Sequence, residues 1–160
     1  MVRSNVSCEV RVEAPAWRKA WPNAAREGRK FLLQIAVRAD VQPVPAGVVA
    51  VVLTDDARVR ALNLRFRSKD RATNVLSFPD PLAPLGGMAL ALETLEKEAE
   101  DQGKVFLNHV KHMILHGFLH LLGHDHHTKA DARLMERLEI AILAEMGIPN
   151  PYVIEAQTRA

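Results

Sequence analysis

The chain of 160 residues has one cysteine, Cys8, one tyrosine and only 5% aromatic residues. A lone cysteine forms no internal disulfide, which excludes the disulfide-stapled secreted scaffolds. Its place in an alternating run makes Cys8 a packing residue rather than a reactive one, in keeping with a reducing compartment. Long apolar runs are missing too. The longest, Val44 to Leu53, includes a proline and a glycine and falls far short of the roughly 20 residues that cross a bilayer. The N-terminus lacks the apolar core of a signal peptide, and Val2 stands where myristoylation requires glycine. The expectation is a cytoplasmic protein with no membrane attachment. There is no large excess of charge of one sign, since 21 basic and 19 acidic residues leave a net +2, so overall charge does not announce a nucleic-acid binder. What is present, 48% hydrophobic and 25% charged residues, is ordinary for a globular chain and excludes disorder and collagen-like structure. The length suits one domain, residues 1–160.

Ser7 to Val12 alternates apolar Cys8, Val10 and Val12 with polar partners, the period of a half-buried strand. After Pro15, Ala25, Phe31, Leu32, Ile35 and Ala36 recur as on a helix that ends before Asp40. The β-branched run Gly47 to Leu53 predicts a strand buried on both faces. Thr54-Asp55-Asp56 offers cap acceptors to a short helix with Val59, Leu62 and Phe66 on its inner stripe. Asn74 to Phe78 predicts a third strand stopped by Pro79, and Pro81, Pro84 and Gly86-Gly87 predict a loop before a short fourth strand, Met88 to Leu92. Helical periods follow near Glu93 to Glu98, from Val105 to Leu122 with a stop at Gly123, and from Asp131 to Met146 before Gly147 and Pro149. The order β-α-β-α-β-β-α-α predicts an α+β fold, a mixed sheet of roughly four strands covered by helices.

Two stretches carry chemistry. From Arg58 to Arg71, six basic residues face a single acid, Asp70, a net of 6 − 1 = +5 in 14 residues, and this predicts a phosphate-facing surface. All seven histidines lie between positions 109 and 127. His112, His116 and His120 share one face of the predicted helix at spacings of four. Zinc bonds of roughly 2.0 to 2.1 Å require tetrahedral ligand nitrogens roughly 3.3 Å apart, which residues i and i+4 reach. A third ligand must return from another direction, and Gly123 supplies the stop. The pattern His116-x-x-x-His120-x-x-Gly123-x-x-His126 therefore predicts a metal site on a helix of the C-terminal half, two ligands on the helix and the third beyond its stop. They leave the fourth zinc position for a water nucleophile. Imidazoles also suit nickel, copper and iron.

The spacing matches that of metzincin proteases, whose first histidine is followed by the glutamate base. Here Gly117 holds that place, so peptide hydrolysis is not supported. His112 reads as a side chain behind the ligands or on the pocket wall, and His109 and His127 read as solvated. His124 either lines the substrate entrance or is exposed. Asp125 either hydrogen-bonds a ligand imidazole or caps the next segment. The proton acceptor is left open among His124, Asp125 and the substrate.

His116-Gly117-Phe118-Leu119-His120-Leu121-Leu122-Gly123-His124-Asp125-His126 resembles the signature of the YbeY family of bacterial ribosomal-RNA maturation factors. A second block agrees: Leu62-Asn63-Leu64-Arg65-Phe66-Arg67-Ser68-Lys69-Asp70, followed by Thr73-Asn74-Val75-Leu76-Ser77-Phe78-Pro79. The similarity runs from about Val48 to Tyr152. It implies a metal-dependent endoribonuclease of single-stranded RNA with one zinc per chain, active in 16S rRNA 3′-end processing, small-subunit maturation and ribosome quality control. The implied partners are the small ribosomal subunit, its proteins and assembly GTPases. The resemblance carries His116, His120 and His126 over as ligands and Arg67 as the arginine near the metal. Arg67 then stabilises the transition state, and Arg65, Lys69 and Arg71 are expected on flanking phosphates. The chain departs from the family at Gly87, where an aspartate is usual. The alternatives are an assembly factor whose metal is mainly structural and a zinc hydrolase of another substrate.

Overall fold

A computed structural model describes residues 4–153. Strand β1 (Val6–Val12) leads to a one-turn helix α1 (Trp17–Ala20), helix α2 (Ala24–Ala36) and a 3-10 turn (Ala39–Val41). Then come β2 (Gly47–Thr54), α3 (Asp56–Arg67), β3 (Val75–Asp80), β4 (Ala83–Ala91), α4 (Leu92–Gln102), α5 (Phe106–Leu121) and α6 (Lys129–Glu145). The four strands form one sheet in the order β1-β2-β4-β3, with β1–β2 and β2–β4 parallel and β3–β4 antiparallel.

Alternation in the two central strands explains the layering. Val49, Val51 and Leu53 of β2, with Met88 and Leu90 of β4, face a large core that contains Leu32 and Ile35 of α2, Ile114 and Phe118 of α5, and Ile142 of α6. Their neighbours Val52, Ala89 and Ala91 face a smaller core with Val59 and Leu62 of α3. A β-branched run with no polar alternation belongs in such a doubly covered strand. Trp17 Nε1 donates to the Thr54 carbonyl at 2.8 Å, pinning α1 against the end of β2. Asp55 caps α3 by accepting the Arg58 N–H at 2.9 Å, as its position predicts.

Three expectations change. The helix expected after Pro15 is two helices, α1 and α2, separated by Trp21 to Asn23; Pro22 lacks the N–H that a continuous helix would need. Strand β3 runs through Pro79 to Asp80 and β4 begins at Ala83, so the expected loop is a hairpin turning at Pro81-Leu82. Proline is tolerated because β3 is the edge strand, where no neighbour demands its missing N–H. A register shift between Phe78 and Asp80 absorbs the irregularity, and Asp80 Oδ1 accepts the Leu82 N–H at 2.9 Å to close the turn. Finally, α6 starts two residues earlier than expected, with Thr128 Oγ1 accepting the Asp131 N–H at 3.0 Å.

Candidate metal centre and nucleic-acid cleft

Helix α5 buries Ile114, Leu115, Phe118 and Leu119 in the large core and carries its histidines on another face. It ends where the sequence predicts. Gly123 adopts φ +101°, its N–H donates to the His120 carbonyl at 3.0 Å, and the His124 N–H donates to the Leu119 carbonyl at 3.0 Å. These two bonds form the Schellman stop, whose left-handed residue is cheapest as glycine. The chain then turns back and brings the His126 ring to 5.1 Å from that of His116 and 5.0 Å from that of His120, centroid to centroid.

His116, His120 and His126 each place one ring nitrogen within 4.8 Å of the others. The Nε2 atoms of His116 and His120 are 3.1 Å apart, close to the roughly 3.3 Å span of two tetrahedral zinc ligands. The donor set fits a metal by its own chemistry. Glu139 Oε1 lies 2.8 Å from His116 Nδ1, and a carboxylate can only accept, so Nδ1 carries the proton and Nε2 is left with its lone pair. Burial pushes the His120 imidazole down to about 4, with His116 and His126 adding to the effect, so this ring is a neutral donor near pH 7.

Glu139 is the residue that the sequence reading missed. It lies fully buried on α6 and accepts from His112 Nε2 at 3.1 Å through the same Oε1, while Oε2 accepts from the Tyr152 hydroxyl. Burial alone would raise its carboxyl, but the hydrogen bonds from His112, His116 and Tyr152 outweigh it and hold the group down at about 2. A signal was available: Met135, Glu139, Ile142 and Leu143 form the buried stripe of α6, and a glutamate in such a stripe needs partners.

The other histidines divide. His112 is buried behind the ligands and shares Glu139 with His116. His109, expected in solvent, is also buried; its Nε2 donates to Glu98 Oε1 at 2.9 Å, a partner one helix away that local spacing does not reveal. His127 is exposed. His124 is half-buried beside His120, and Asp125 Oδ1 accepts the His127 N–H at 3.1 Å. Among the described residues Asp125 bonds none of the three clustered imidazoles, and the carboxylate that meets His116 is Glu139.

Opposite the triad stands Arg67, the last residue of α3, whose Nη2 donates to the Ser77 carbonyl on the edge strand at 3.3 Å. A cleft of about 510 Å³ is lined by the three histidines together with Arg67, Ser77, Lys69 and Arg71. The basic cluster does not act as one patch. Arg58 lies 3.8 Å from Glu13, Arg60 pairs with Asp70 at 2.7 Å, and Arg65 lies over the Phe66 ring at 5.1 Å, outside this cleft. Among the described residues, Arg67, Lys69 and Arg71 have no carboxylate partner. Gly87 pairs with Phe78 across the hairpin; a Cβ there would lie 2.8 Å from Phe78 Cζ and 3.4 Å from Asp80 Oδ2.

Fold and site together define a class: an α+β protein with a three-histidine centre facing a basic cleft across a mixed sheet. The family described as Endoribonuclease YbeY matches residues 17–147, and the chain belongs to it. It is 43% identical over 155 residues to the Endoribonuclease YbeY of Bradyrhizobium sp. (strain BTAi1), covering 90% of each chain. It is 45% identical over 155 residues to that of Rhodopseudomonas palustris (strain CGA009), covering 90% of this chain and 80% of the relative. The solution structure of TM1509 from Thermotoga maritima has the same fold, with a TM-score of 0.52 and 21% identity over 88% of this chain and 91% of that one.

Proposed function

We propose that this protein is a zinc-dependent endoribonuclease of single-stranded RNA that acts in ribosomal-RNA processing, including 16S rRNA 3′-end maturation, and in maturation and quality control of the small ribosomal subunit. The name shared by its relatives supports the reaction class. The observation that carries the reading is that Arg67, Lys69 and Arg71 line one cleft together with His116, His120 and His126. One zinc held by the three imidazoles would supply a Lewis acid for a phosphodiester and for the attacking water.

The chain's own residues do the rest. Glu139 fixes the tautomer and ring orientation of His116, the usual task of a carboxylate behind a metal-binding histidine. Arg67 stabilises charge that grows on the phosphate oxygens as the attacking bond forms, where a preoriented guanidinium counts most. Lys69 and Arg71 hold neighbouring phosphates, which position the strand without reading its sequence. The Ser77 carbonyl, by accepting from Arg67, helps keep the guanidinium in the cleft.

Peptide hydrolysis is disfavoured by packing. A Cβ at Gly117 would meet Met88 Sδ at 3.0 Å and Val75 Cγ2 at 3.3 Å, so a side chain at the position that bears the peptidase glutamate would have to push these neighbours aside. No helix among the described residues is long and apolar enough to cross a membrane, and the expected setting is the cytoplasm, on the small subunit with its proteins and assembly GTPases.

The test is cleavage of a labelled single-stranded RNA by the wild-type protein and by His120→Ala prepared identically, with metal content and circular dichroism recorded on both. Cutting and stoichiometric zinc in the wild type alone, with both proteins folded, supports the reading. Equal cutting by both removes it, and an unfolded His120→Ala protein turns the reading to an assembly factor with a structural metal.

A further inference from the structure

Arg67, Ser77 and His120 stand on a divide. On one side lies the cleft of about 510 Å³ with Lys69 and Arg71. On the other lies a shallower depression of about 550 Å³ between the tip of the β3–β4 hairpin and the turn that carries Gly123 to Asp125. All three residues line both, so a strand with its reacting phosphate at Arg67 extends into each.

The two arms differ in charge and surface. The first offers Lys69 and Arg71, and its carboxylate, Glu98, is engaged by Asn74 Nδ2 at 3.1 Å and by His109 Nε2 at 2.9 Å. The second has no lysine or arginine besides the shared Arg67; it holds the imidazoles of His120 and His124 and two carboxylates, Asp80 and Asp125. Asp80 is committed to Arg11 at 3.0 Å and to the turn. The remaining wall is largely apolar: Ala83, Pro84, Leu85 and Leu121, with bare backbone at Gly86, where a Cβ would lie 2.8 Å from Leu121 Cδ2. A phosphate there finds no lysine or arginine to hold it beyond Arg67, since Arg11 is taken up by Asp80, while Asp125 Oδ2 lies 3.5 Å from His127 Nε2. A neutral, flat nucleobase meets an apolar surface and a carboxylate able to accept from an exocyclic amine, the pairing that acidic side chains make with cytosine N4.

We propose that the RNA crosses the centre asymmetrically. Its backbone is held on the Lys69–Arg71 arm, and the nucleobase next to the reacting phosphate is turned out into the hairpin depression, where Asp125 selects bases that carry an amino group. This rests on the nuclease reading and adds to it a base subsite and a direction of the strand across the site.

The test uses the zinc-loaded full chain and a labelled 2′-O-methyl octacytidine, whose length is checked on a gel after each reading so that binding to the uncut strand is read by fluorescence anisotropy. A single abasic position is walked along the strand. One position should weaken binding about tenfold, in line with the worth of one stacked base. Pro84→Glu, which adds a third carboxylate to the depression, should shrink that penalty to less than about twofold. Lys69→Ala combined with Arg71→Ala should leave the penalty intact and lower the slope of log Kd against log salt by about 1.4, at roughly 0.7 per phosphate on a single strand. Uracil in place of cytosine at the sensitive position should bind more weakly to wild type but equally to Asp125→Asn, a comparison that decides the matter if Pro84→Glu does not fold. An abasic profile without a sensitive position, or cytosine preference unchanged in Asp125→Asn, overturns the base subsite. If unmodified RNA is still cut, only the subsite falls; if it is neither bound nor cut, the nuclease reading falls with it.

Discussion

At the residue scale, the site is a set of local arrangements completed by distant partners. His116, His120 and the Gly123 stop were legible because helical spacing and a left-handed glycine act within a few residues. Glu139 was not, since nothing local ties α6 to α5. Glu139→Gln, which keeps the shape but loses the carboxylate that orders His112 and His116, is expected to lower zinc affinity about 10- to 100-fold, measured by competition with a chromophoric chelator. Arg67→Ala is expected to reduce cleavage by about 10²- to 10³-fold while zinc stoichiometry stays at the wild-type level; a change in affinity alone would place Arg67 in substrate binding. Away from the site, burial pushes the Cys8 thiol from 9.0 up to about 11. The fold thus holds this proton more tightly than the unfolded chain does. The contribution is intact below about pH 9 and is lost as pH rises through about 11, an effect on the order of 2 kcal/mol. Denaturant melts at pH 8 and 11 should show a larger loss for wild type than for Cys8→Ala, and the native thiol should resist thiol reagents at pH 8.

At the element scale, the β3–β4 hairpin was the least legible part. Pro79, Pro81, Pro84 and two glycines are strong local loop signals, yet β3 and β4 run through most of them. Whether a proline interrupts a strand depends on whether its N–H side faces a neighbour, and that depends on sheet order. The same hairpin accounts for Gly87. With the Phe78 ring 2.8 Å from where its Cβ would be and Asp80 Oδ2 at 3.4 Å, Gly87→Asp is expected to destabilise the protein by about 1–3 kcal/mol through overpacking. Adding Phe78→Leu should recover part of the loss, as read from thermal melts. A neutral Gly87→Asp would mean that the hairpin rearranges freely. The glycine thus matches its own cross-strand neighbours, and an aspartate there would require a different residue or rotamer at Phe78.

At the scale of the whole molecule, the large core is built from α2, α5, α6 and the inward faces of β2 and β4, and the clustered His116, His120 and His126 lie outside it. A metal at the centre therefore adds to a fold that already has its own apolar stabilisation, in contrast to small domains that fold only around zinc. Chelation is expected to leave the far-ultraviolet circular dichroism unchanged and to lower Tm. Restoring free zinc to about 100 times its Kd returns about 2.7 kcal/mol, or roughly 5 to 10 °C for a chain of this size. Unfolding on chelation would instead assign the metal a structural task. The basic stretch from Arg58 to Arg71 also changes meaning at this scale. Read along the chain it is a block of +5, but folding spends Arg58 and Arg60 on acids, lays Arg65 over Phe66, and leaves Arg67, Lys69 and Arg71 to line the cleft.

By itself, the sequence determined what periodicity and short-range sterics control: the buried β2 strand, the cap of α3, the histidine row on α5, the glycine that ends that helix and the return of His126. Each depends on contacts within about a dozen residues, so the pattern is visible without the fold. Only the tertiary structure decided that β3 lies at the sheet edge and tolerates its proline, that His109 is buried against Glu98, that Glu139 and Tyr152 stand behind His116, and that Arg67 faces the triad. These pair groups from elements far apart in the chain. The partner of a buried imidazole or a guanidinium is set by which surfaces the hydrophobic core brings together, not by the residues beside it.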